Sequence, residues 1–529
     1  MIKLKLNRAM FMSLFLCAAI YSCKTNDKNS SLEEEKPRFE ANWESLAKIN
    51  NQPEWFEDAK LGIYFCWGPY TVPAYKSEWY PRWMYIKDTE GWSPDVYAFN
   101  KYGSQDRATG IYEYHKENFG DPSEFGYHDF IPMFKAEKFD AAEWVDLFEK
   151  AGAKFLGPVA QHHDGFAMWD SEVNMWNSMD KGPKKDILGD IFKEAKKRDI
   201  KTLATFHHAK NLQLNAGNPK EWGGWDSHFP YHPDYATSST DAELKYLYGN
   251  IPAEEFYDYW LDQVNEVVDK YGPDIVWFDV WLDRIPEKYR QEMVAHHFNK
   301  GIERDQEPIV VYKQQDIPSN VGILDMEQAG RTEMSQVAWM TDVTISLLSW
   351  SHIKDQPYKT ADLLLRNMID VWSKKGVVLL NVSPAADGSI NQQQRDVLNE
   401  MGEWLDTYGE AVYGTRTHTI HGYGISEIEE GFEGIGQSAT QEFNANDIRF
   451  TRSKDAKSLY VFMLGMPEAN TTIELEEILP NVTNKIKNVS LIGSDVAIEW
   501  ELNGVHFKLK TPEEKEMNKI ATVFKVEFE

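Results

Sequence analysis

Residues 274–279 read Asp-Ile-Val-Trp-Phe-Asp, a short apolar run that ends in a carboxylate. The run predicts a strand over Asp274–Phe278, because its length and its β-branched and aromatic residues are typical of a strand covered on both faces. Stretches with helical periodicity precede it at Ala253–Lys270 and follow it at Pro286–Lys300. A strand between two helices is the pattern of parallel β-α units.

The same alternation extends along most of the chain from about Trp43. Strands are predicted at six further runs: Gly62–Trp67, Phe155–Gln161, Thr202–His207, Ile309–Lys313, Gly322–Met326 and Val377–Val382. Helices are predicted at four further stretches: Ala141–Lys150, Ile187–Lys197, Thr360–Ser373 and Gln392–Thr407. Seven strands come close to the eight of a (β/α)8 barrel, and no glycine-rich dinucleotide fingerprint follows any of them. The sequence therefore predicts an α/β fold, a (β/α)8-like barrel with one degenerate unit.

Beyond Thr415 the sequence changes character. Strand-like runs at Ser458–Leu464, Val496–Leu502 and Ala521–Phe528 are separated by Asn, Gly and Pro. A succession of predicted strands without predicted helices indicates a C-terminal β-sandwich domain. We expect the catalytic barrel at residues 43–415 and the sandwich at residues 416–529.

The composition is that of an acidic globular protein. The 529 residues include 56 Lys and Arg and 84 Asp and Glu, which gives a net charge of −28. Because that charge repels phosphate backbones and anionic lipid surfaces, nucleic acid is not an expected partner. The chain also contains 19 Trp, and indole rings often line sugar sites, although most of them pack in cores.

The first residues have the features of a secretory signal peptide. Three basic residues precede an apolar run from Ala9 to Tyr21, which is too short to span a bilayer. The run ends in Ser22-Cys23, a loose version of a bacterial lipoprotein signal, in which the thiol of Cys23 receives lipid after cleavage. We therefore predict a signal peptide at residues 1–22, a lipoprotein-type tether at 23–42, and secretion to the bacterial periplasm or outer membrane. Cys66 is then the only cysteine of the mature domain.

Polar residues follow several of the predicted strands, where the active sites of such barrels lie. They are His162-His163-Asp164, His207-His208, Asp279, and Asp325 with Glu327. Asp279 is the candidate nucleophile, because packing does not require a carboxylate after this apolar run. A loop or helix-capping aspartate is the alternative.

Two hypotheses for this chemistry stay open on the residues alone. Hydrolysis of a glycosidic bond needs two carboxyl groups, and Glu327 is the candidate acid beside Asp279. Glu333 is its rival, and a salt bridge with Arg331 is the structural alternative for Glu327. The histidines and Asp279 also offer ligands to a metal ion, although adjacent histidines point to opposite faces unless the strand has already ended.

Several longer motifs resemble the α-L-fucosidases of glycoside hydrolase family 29. In chain order they are Trp55–Tyr64, Trp67–Tyr70, Ser77–Tyr80, His162–Phe166, Trp169–Ser171, Gly182–Asp186, Trp277–Asp279, Trp339–Asp342, Leu379–Val382, Asp387–Gly388, Gly402–Leu405 and Tyr413–Arg416. The resemblance covers about Trp43–Arg416, and the motifs are long and collinear.

The resemblance implies a retaining exo-glycosidase that removes terminal α-L-fucosyl residues from oligosaccharides or polysaccharides. It implies a covalent glycosyl-enzyme intermediate and neither a metal nor another cofactor. Asp279 is then the nucleophile and Glu327 the acid/base. The side chains expected at the sugar are Cys66, Glu78, Trp79, His162, His163, His207 and Trp277.

The chain departs from the family pattern at Cys66, where the family usually has a histidine. A neutral thiol does not replace an imidazole as a hydrogen-bond donor, so we expect weaker binding or a changed sugar preference. Met340 and the segment 210–212 also differ from the family. Two alternatives to a fucosidase follow: a glycosidase of the same fold with specificity shifted to a related sugar such as L-galactose, and a catalytically silent sugar-binding lipoprotein.

Overall fold

Eight parallel strands form the larger part of the structure. The computed structural model describes residues 38–87, 108–214, 216–222, 224–426, 441–479 and 485–529. The predicted signal peptide and Cys23 lie outside these described residues. The strands are β1 (Leu61–Phe65), β2 (Phe155–Gln161), β3 (Lys201–Phe206), β4 (Ile275–Phe278), β5 (Ile309–Tyr312), β6 (Ile323–Leu324), β7 (Trp339–Thr344) and β8 (Gly376–Val382).

These strands follow one another around a barrel. The hydrogen-bonded order is β6-β5-β4-β3-β2-β1-β8-β7, and all of the pairs are parallel. A parallel bridge between Asp325 and Met340 joins the two ends, where the amide of Met326 donates to the carbonyl of Met340 at 2.9 Å. The predicted (β/α)8-like barrel is confirmed.

Helices cover the outside of the barrel in most of its units. Those of the described residues are α1 (Trp43–Leu46), α2 (Glu54–Ala59), α3 (Tyr80–Trp83), α4 (Ile111–Asn118), α5 (Ala141–Lys150), α6 (Ile187–Lys196), α7 (Leu244–Leu247), α8 (Ala253–Tyr271), α9 (Glu287–Glu303), α10 (Ala361–Ser373) and α11 (Gln392–Tyr408). Residues 313–322 and 325–338, all of them described, connect β5, β6 and β7 without a helix. None of the described helices combines the length and the apolar character needed to cross a bilayer.

The C-terminal part is a β-sandwich of two antiparallel sheets, as predicted. A five-stranded sheet has the order β13-β16-β11-β10-β9, and a three-stranded sheet has the order β12-β15-β14. The strands are β9 (Arg416–Tyr423), β10 (Ile448–Arg452), β11 (Ser458–Met463), β12 (Thr472–Leu475), β13 (Ile486–Leu491), β14 (Trp500–Asn503), β15 (His506–Lys510) and β16 (Thr522–Phe528). Buried side chains of both sheets, among them Phe450, Phe507 and Phe524, form its core. The domain limits at 43–415 and 416–529 stay predictions.

Candidate active site

A cavity lies at the carboxyl ends of the barrel strands. All nine residues predicted for the catalytic and sugar-binding roles line it: Cys66, Glu78, Trp79, His162, His163, His207, Trp277, Asp279 and Glu327. Glu333, the rival acid, is exposed and is not among the lining residues. The structure thus brings together side chains from β1, β2, β3, β4 and β6, although it does not test their roles.

Asp279 follows β4 and is surrounded by donors. Its Oδ2 lies 3.2 Å from Nε2 of His163 and 3.4 Å from Nδ1 of His207, and its Oδ1 lies 3.1 Å from Nζ of Lys313. Burial raises the pKa of this carboxyl, but Lys313 and His207 outweigh burial and hold it well below its usual range. Asp279 is therefore ionised at neutral pH.

Lys313 joins three carboxylates at the base of the cavity. Its Nζ lies 2.9 Å from Oε2 of Glu327 and 3.3 Å from Oδ2 of Asp342, in addition to its contact with Asp279. Burial lowers the pKa of Lys313, but the carboxylates outweigh it and raise the pKa well above its usual value. The ion-pair partner of Glu327 is thus Lys313, and Arg331 lies instead over the ring of Trp339, at 5.2 Å from its centroid.

Asp342, the third carboxylate beside Lys313, is held by further hydrogen bonds. Its Oδ2 accepts a hydrogen bond from the Tyr64 hydroxyl at 3.0 Å, and its backbone amide donates to Asp325 at 2.9 Å. Asp325 in turn accepts from Nε1 of Trp277 at 3.0 Å. Burial and the neighbouring Asp325 raise the pKa of Asp342 well above its usual value, so this group carries a proton more readily than an exposed aspartate.

The two adjacent histidines both face the cavity. The expectation that they point to opposite faces does not apply, because β2 ends at Gln161 and both residues follow the strand. Burial lowers the pKa of His162 well below its usual value and that of His163 to about 4, so both rings are neutral at neutral pH. The rings of His162, His163 and His207 offer nitrogen atoms within 4.8 Å of one another, a set that could also hold a metal ion.

Cys66 follows β1 and lines the cavity, although its side chain is only 3% exposed. Its Sγ lies 3.4 Å from the hydroxyl of Tyr70, and its backbone amide donates to Asn381 at 2.8 Å. Burial and the charge of Glu78 raise the pKa of the thiol well above its usual value. Cys66 is therefore a neutral thiol in the wall of the cavity.

Sequence reasoning missed six further lining residues: Tyr64, Val280, Trp281, Lys313, Asp342 and Trp350. Lys313 could have been found from the sequence, because it is a polar residue at the end of a predicted strand, as the histidines and Asp279 are. Asp342 lies within β7 rather than beyond its end, so a search for polar residues that follow predicted strands does not identify it. Trp281 and Trp350 lie in loops, where local sequence gives little guide to the direction of a side chain.

Comparisons with known proteins show the family of the chain. The family model described as "Alpha-L-fucosidase" matches residues 27–410, and the model described as "Alpha-L-fucosidase C-terminal domain" matches residues 441–527. The chain is 26% identical over 485 residues to the plasma alpha-L-fucosidase of Pongo abelii, with 89% of each chain covered. It is 27% identical over 474 residues to the tissue alpha-L-fucosidase of Rattus norvegicus, with 87% of this chain and 86% of the relative covered.

Solved structures show the same similarity. The alpha-fucosidase of Thermotoga maritima in complex with fucose superposes with a TM-score of 0.67 at 26% identity, covering 92% of this chain and 100% of the other. The same enzyme in complex with a mechanism-based inhibitor gives a TM-score of 0.68 at 26% identity, again covering 92% and 100%.

Proposed function

Because the chain belongs to the α-L-fucosidase family, as its motifs indicated, we propose that it is a retaining exo-glycosidase. It hydrolyses terminal α-L-fucosyl residues of glycans through a covalent glycosyl-enzyme intermediate. The relatives named above are fucosidases, and one of the similar structures holds a mechanism-based inhibitor. Fucosylated oligosaccharides or polysaccharides are thus the proposed substrates.

One observation carries the proposal of retention, namely that Lys313 contacts both proposed catalytic carboxylates. Since Nζ lies 3.1 Å from Oδ1 of Asp279 and 2.9 Å from Oε2 of Glu327, those two oxygens are separated by at most about 6 Å. Retaining glycosidases place their carboxyl groups about 5–5.5 Å apart, whereas inverting enzymes need about 6.5–9.5 Å to admit a water molecule. The shared lysine therefore favours direct attack.

The positions of the two groups suit a double displacement. The ionised Asp279 attacks the anomeric carbon, the glycosidic C–O bond breaks, and Glu327 donates its proton to the leaving oxygen. Glu327 then takes a proton from a water molecule, whose oxygen attacks the same carbon and releases Asp279. Both displacements invert the anomeric carbon, so the released sugar keeps the α configuration.

The side chains of His162, His163 and His207 are assigned to the hydroxyl groups of the sugar. A neutral imidazole both donates and accepts a hydrogen bond, which matches a hydroxyl group, and the Trp277 ring supplies an apolar face beside them. His163 and His207 are already held by Asp279, so the sugar ring they bind lies within reach of the nucleophile. No step in this scheme uses a metal or another cofactor.

Two measurements test the proposal. Asp279→Gly should lower kcat for 4-nitrophenyl α-L-fucoside by several orders of magnitude, because the covalent route is lost. Early-time NMR of the wild-type reaction should show α-L-fucose as the first product. Release of the β anomer would refute retention and remove Glu327 from the acid/base role.

A matched pair of glutamate variants tests the proton donor. Glu327→Gln should lower kcat about 10²- to 10⁴-fold on substrates with poor leaving groups, and much less on aryl fucosides that leave without a proton. Glu333→Gln should keep the activity of the wild type, because Glu333 is exposed outside the cavity. Loss of activity in Glu333→Gln alone would transfer the role to that residue.

The N-terminal sequence supports a further part of the proposal. We infer that Cys23 is lipidated and that the enzyme is an exported lipoprotein of the periplasm or outer membrane, attached only through this anchor. Incorporation of labelled palmitate by the full chain, and its loss in Cys23→Ala, is the expected result. A wild-type chain that is exported without label would leave the fucosidase proposal intact and refute the anchor.

A further inference from the structure

Lys210 is a buried lysine that the proposed mechanism does not use. It ends the short 3-10 turn His208–Lys210 that follows β3, and its side chain is 0% exposed. Within the described residues its Nζ has no hydrogen-bond partner. Removing an ammonium group from water is strongly unfavourable unless the surroundings compensate for the lost hydration.

Three indole rings compensate for part of this lost hydration. The Nζ atom of Lys210 lies 3.6 Å from the ring centroid of Trp281, 4.4 Å from that of Trp225 and 5.1 Å from that of Trp79. All three distances fall within the range of about 6 Å over which a cation is attracted to an aromatic face. Trp79 precedes α3, Trp225 lies in the loop after β3, and Trp281 follows β4. We call these four residues the lysine cage, which joins three separate segments at the mouth of the barrel.

Two rings of the lysine cage also form part of the cavity wall. Trp79 and Trp281 line the cavity, and Lys210 lies behind them. Trp281 has a backbone φ of 72°, a conformation that a bulky residue keeps only when its surroundings impose it. Both rings pack against His163, with centroid distances of 5.1 and 5.6 Å, and His163 contacts Asp279. The lysine cage thus supports both the aromatic wall and a histidine at the nucleophile.

We propose that Lys210 is a positioning residue that holds Trp79 and Trp281 as the aromatic wall of the sugar site. Indole faces pack on the apolar face of a sugar ring in much the same way before and during reaction. Loss of the wall therefore weakens uniform binding and appears in KM rather than in kcat. The kinetic test of this inference rests on the proposed fucosidase function, whereas a comparison of crystal structures does not.

The charge of Lys210 supplies a second, pH-dependent readout. The titratable and charged groups that face it are Arg82, Arg284, Asp279, Asp226, His163 and His228. Burial and the two arginines lower the pKa of Lys210 to about 6. As the pH falls through that value the amine gains its charge, and its attraction to the three rings becomes stronger. A lysine that acts only by filling space would show no such change.

The kinetic test compares the wild type with Lys210→Met, which keeps the length of the side chain and removes its charge. We expect KM for 4-nitrophenyl α-L-fucoside to rise about 3- to 30-fold at about pH 5, with kcat changed by less than about twofold. The ratio of the two KM values should fall toward one at about pH 8. Ionisations that both proteins share change both KM values equally, so they do not affect this ratio.

Lys60→Met is the matched control. Lys60 is also a buried lysine, 1% exposed, but it lies before β1 at the opposite end of the barrel. Its loss should leave the KM ratio at one at both pH values. A pH-independent KM ratio in Lys210→Met would refute the positioning role of Lys210.

Ligand-free crystal structures of the wild type and Lys210→Met, both grown at about pH 5, where the wild-type lysine is charged, test the wall without activity. We expect the ring of Trp281 or Trp79 to move by more than about 1 Å, a displacement large enough to affect a sugar site. Should Lys210→Met not fold, Trp225→Phe weakens the lysine cage and leaves both wall rings in place, and it should give the same pH trend in KM. Superimposable wall rings would overturn the inference, whereas an inactive wild type would overturn only the proposed function.

Discussion

At the scale of single residues, Lys313 sets the charge of the proposed nucleophile. Its ammonium group is the largest influence that lowers the pKa of Asp279 against burial. In Lys313→Met this influence is lost, so the pKa of Asp279 rises and a larger fraction of the carboxyl is protonated at any acidic pH. We expect the acidic limb of the kcat/KM profile to move to higher pH by about one unit or more.

Lys313→Arg is the control for that shift, because it keeps a cation beside the two carboxylates. Its acidic limb should stay close to that of the wild type, even where the different shape of the guanidinium group lowers kcat. An unchanged acidic limb in Lys313→Met would mean that another group dominates the charge of Asp279.

Cys66 gives a second prediction at this scale. If its neutral thiol occupies a vacated hydrogen-bonding position, Cys66→His should raise kcat/KM for 4-nitrophenyl α-L-fucoside about tenfold through the recovered donor. Cys66→Ser, which is close to isosteric, controls for polarity alone. A gain for the α-L-galactoside but not for the fucoside would instead favour the shifted specificity. A lower melting temperature with unchanged kinetics would mean that Cys66 serves only to pack the barrel.

At the scale of the elements, the contact between β2 and β3 determines where the histidines emerge. Gly157 lies in β2, and a Cβ atom added there would lie 1.6 Å from the carbonyl oxygen of Leu203 in β3. Gly157→Ala therefore forces the two strands apart, and we expect the melting temperature to fall by about 3 °C or more, because backbone atoms cannot move aside as a flexible side chain can. Thermal unfolding followed by circular dichroism measures the effect.

Gly217→Ala is the control for this substitution. Gly217 is exposed, and an added Cβ would meet no atom within 4 Å. Its melting temperature should match that of the wild type within about 2 °C. Equal melting temperatures for the two variants would show that β2 and β3 separate without cost.

The elements also show how far the sequence predicts this fold and site. Each of the seven predicted apolar runs in the barrel contains a strand, with ends displaced by only a few residues. The eighth strand, β7, was missed because Asp342 and two threonines interrupt its apolar residues, although all six positions are buried. Tertiary contacts, here with Lys313 and Tyr64, make that burial possible, and no local pattern reveals them. Trp281 was missed for the same reason, since the distant Lys210 holds its ring.

At the scale of the whole molecule, a buried ion cluster connects the sandwich to the barrel. Asp370 of α10 lies 2.5 Å from Nε of Arg449 in β10 and 2.8 Å from Nζ of Lys374. Burial raises the pKa of Asp370, but the two cations outweigh it and lower the pKa below its usual value of 3.8. This stabilisation is therefore present above about pH 4 and is lost as the pH falls through the lowered pKa.

Arg449→Met should lower the melting temperature by about 5 °C or more at neutral pH, because it leaves a buried carboxylate with one cation. The loss should shrink in acid, where protonated Asp370 no longer needs the arginine. Lys485→Met, which removes an exposed pair with Glu529, is the control and should change little. Calorimetry that shows the same small effect for both variants would mean that the cluster does not hold the two domains together.

The barrel is closed by its shortest strand, and this affects how the catalytic site responds to thermal motion. β6 pairs with β5 at only two positions and with β7 through one bridge. Glu327 lies three residues beyond β6, between Met326 and Gln328, whose backbone amides donate to the carbonyls of Met340 and Asp342 in β7 at 2.9 and 2.8 Å. Asp279 and its histidines follow β2, β3 and β4, whose pairings are longer. Because local opening starts where the fewest strand pairings hold a sheet together, we expect Glu327 to be displaced on warming before Asp279 is. The expected consequence is that activity on substrates that need a protonated leaving group declines at a lower temperature than the one at which the rest of the barrel unfolds.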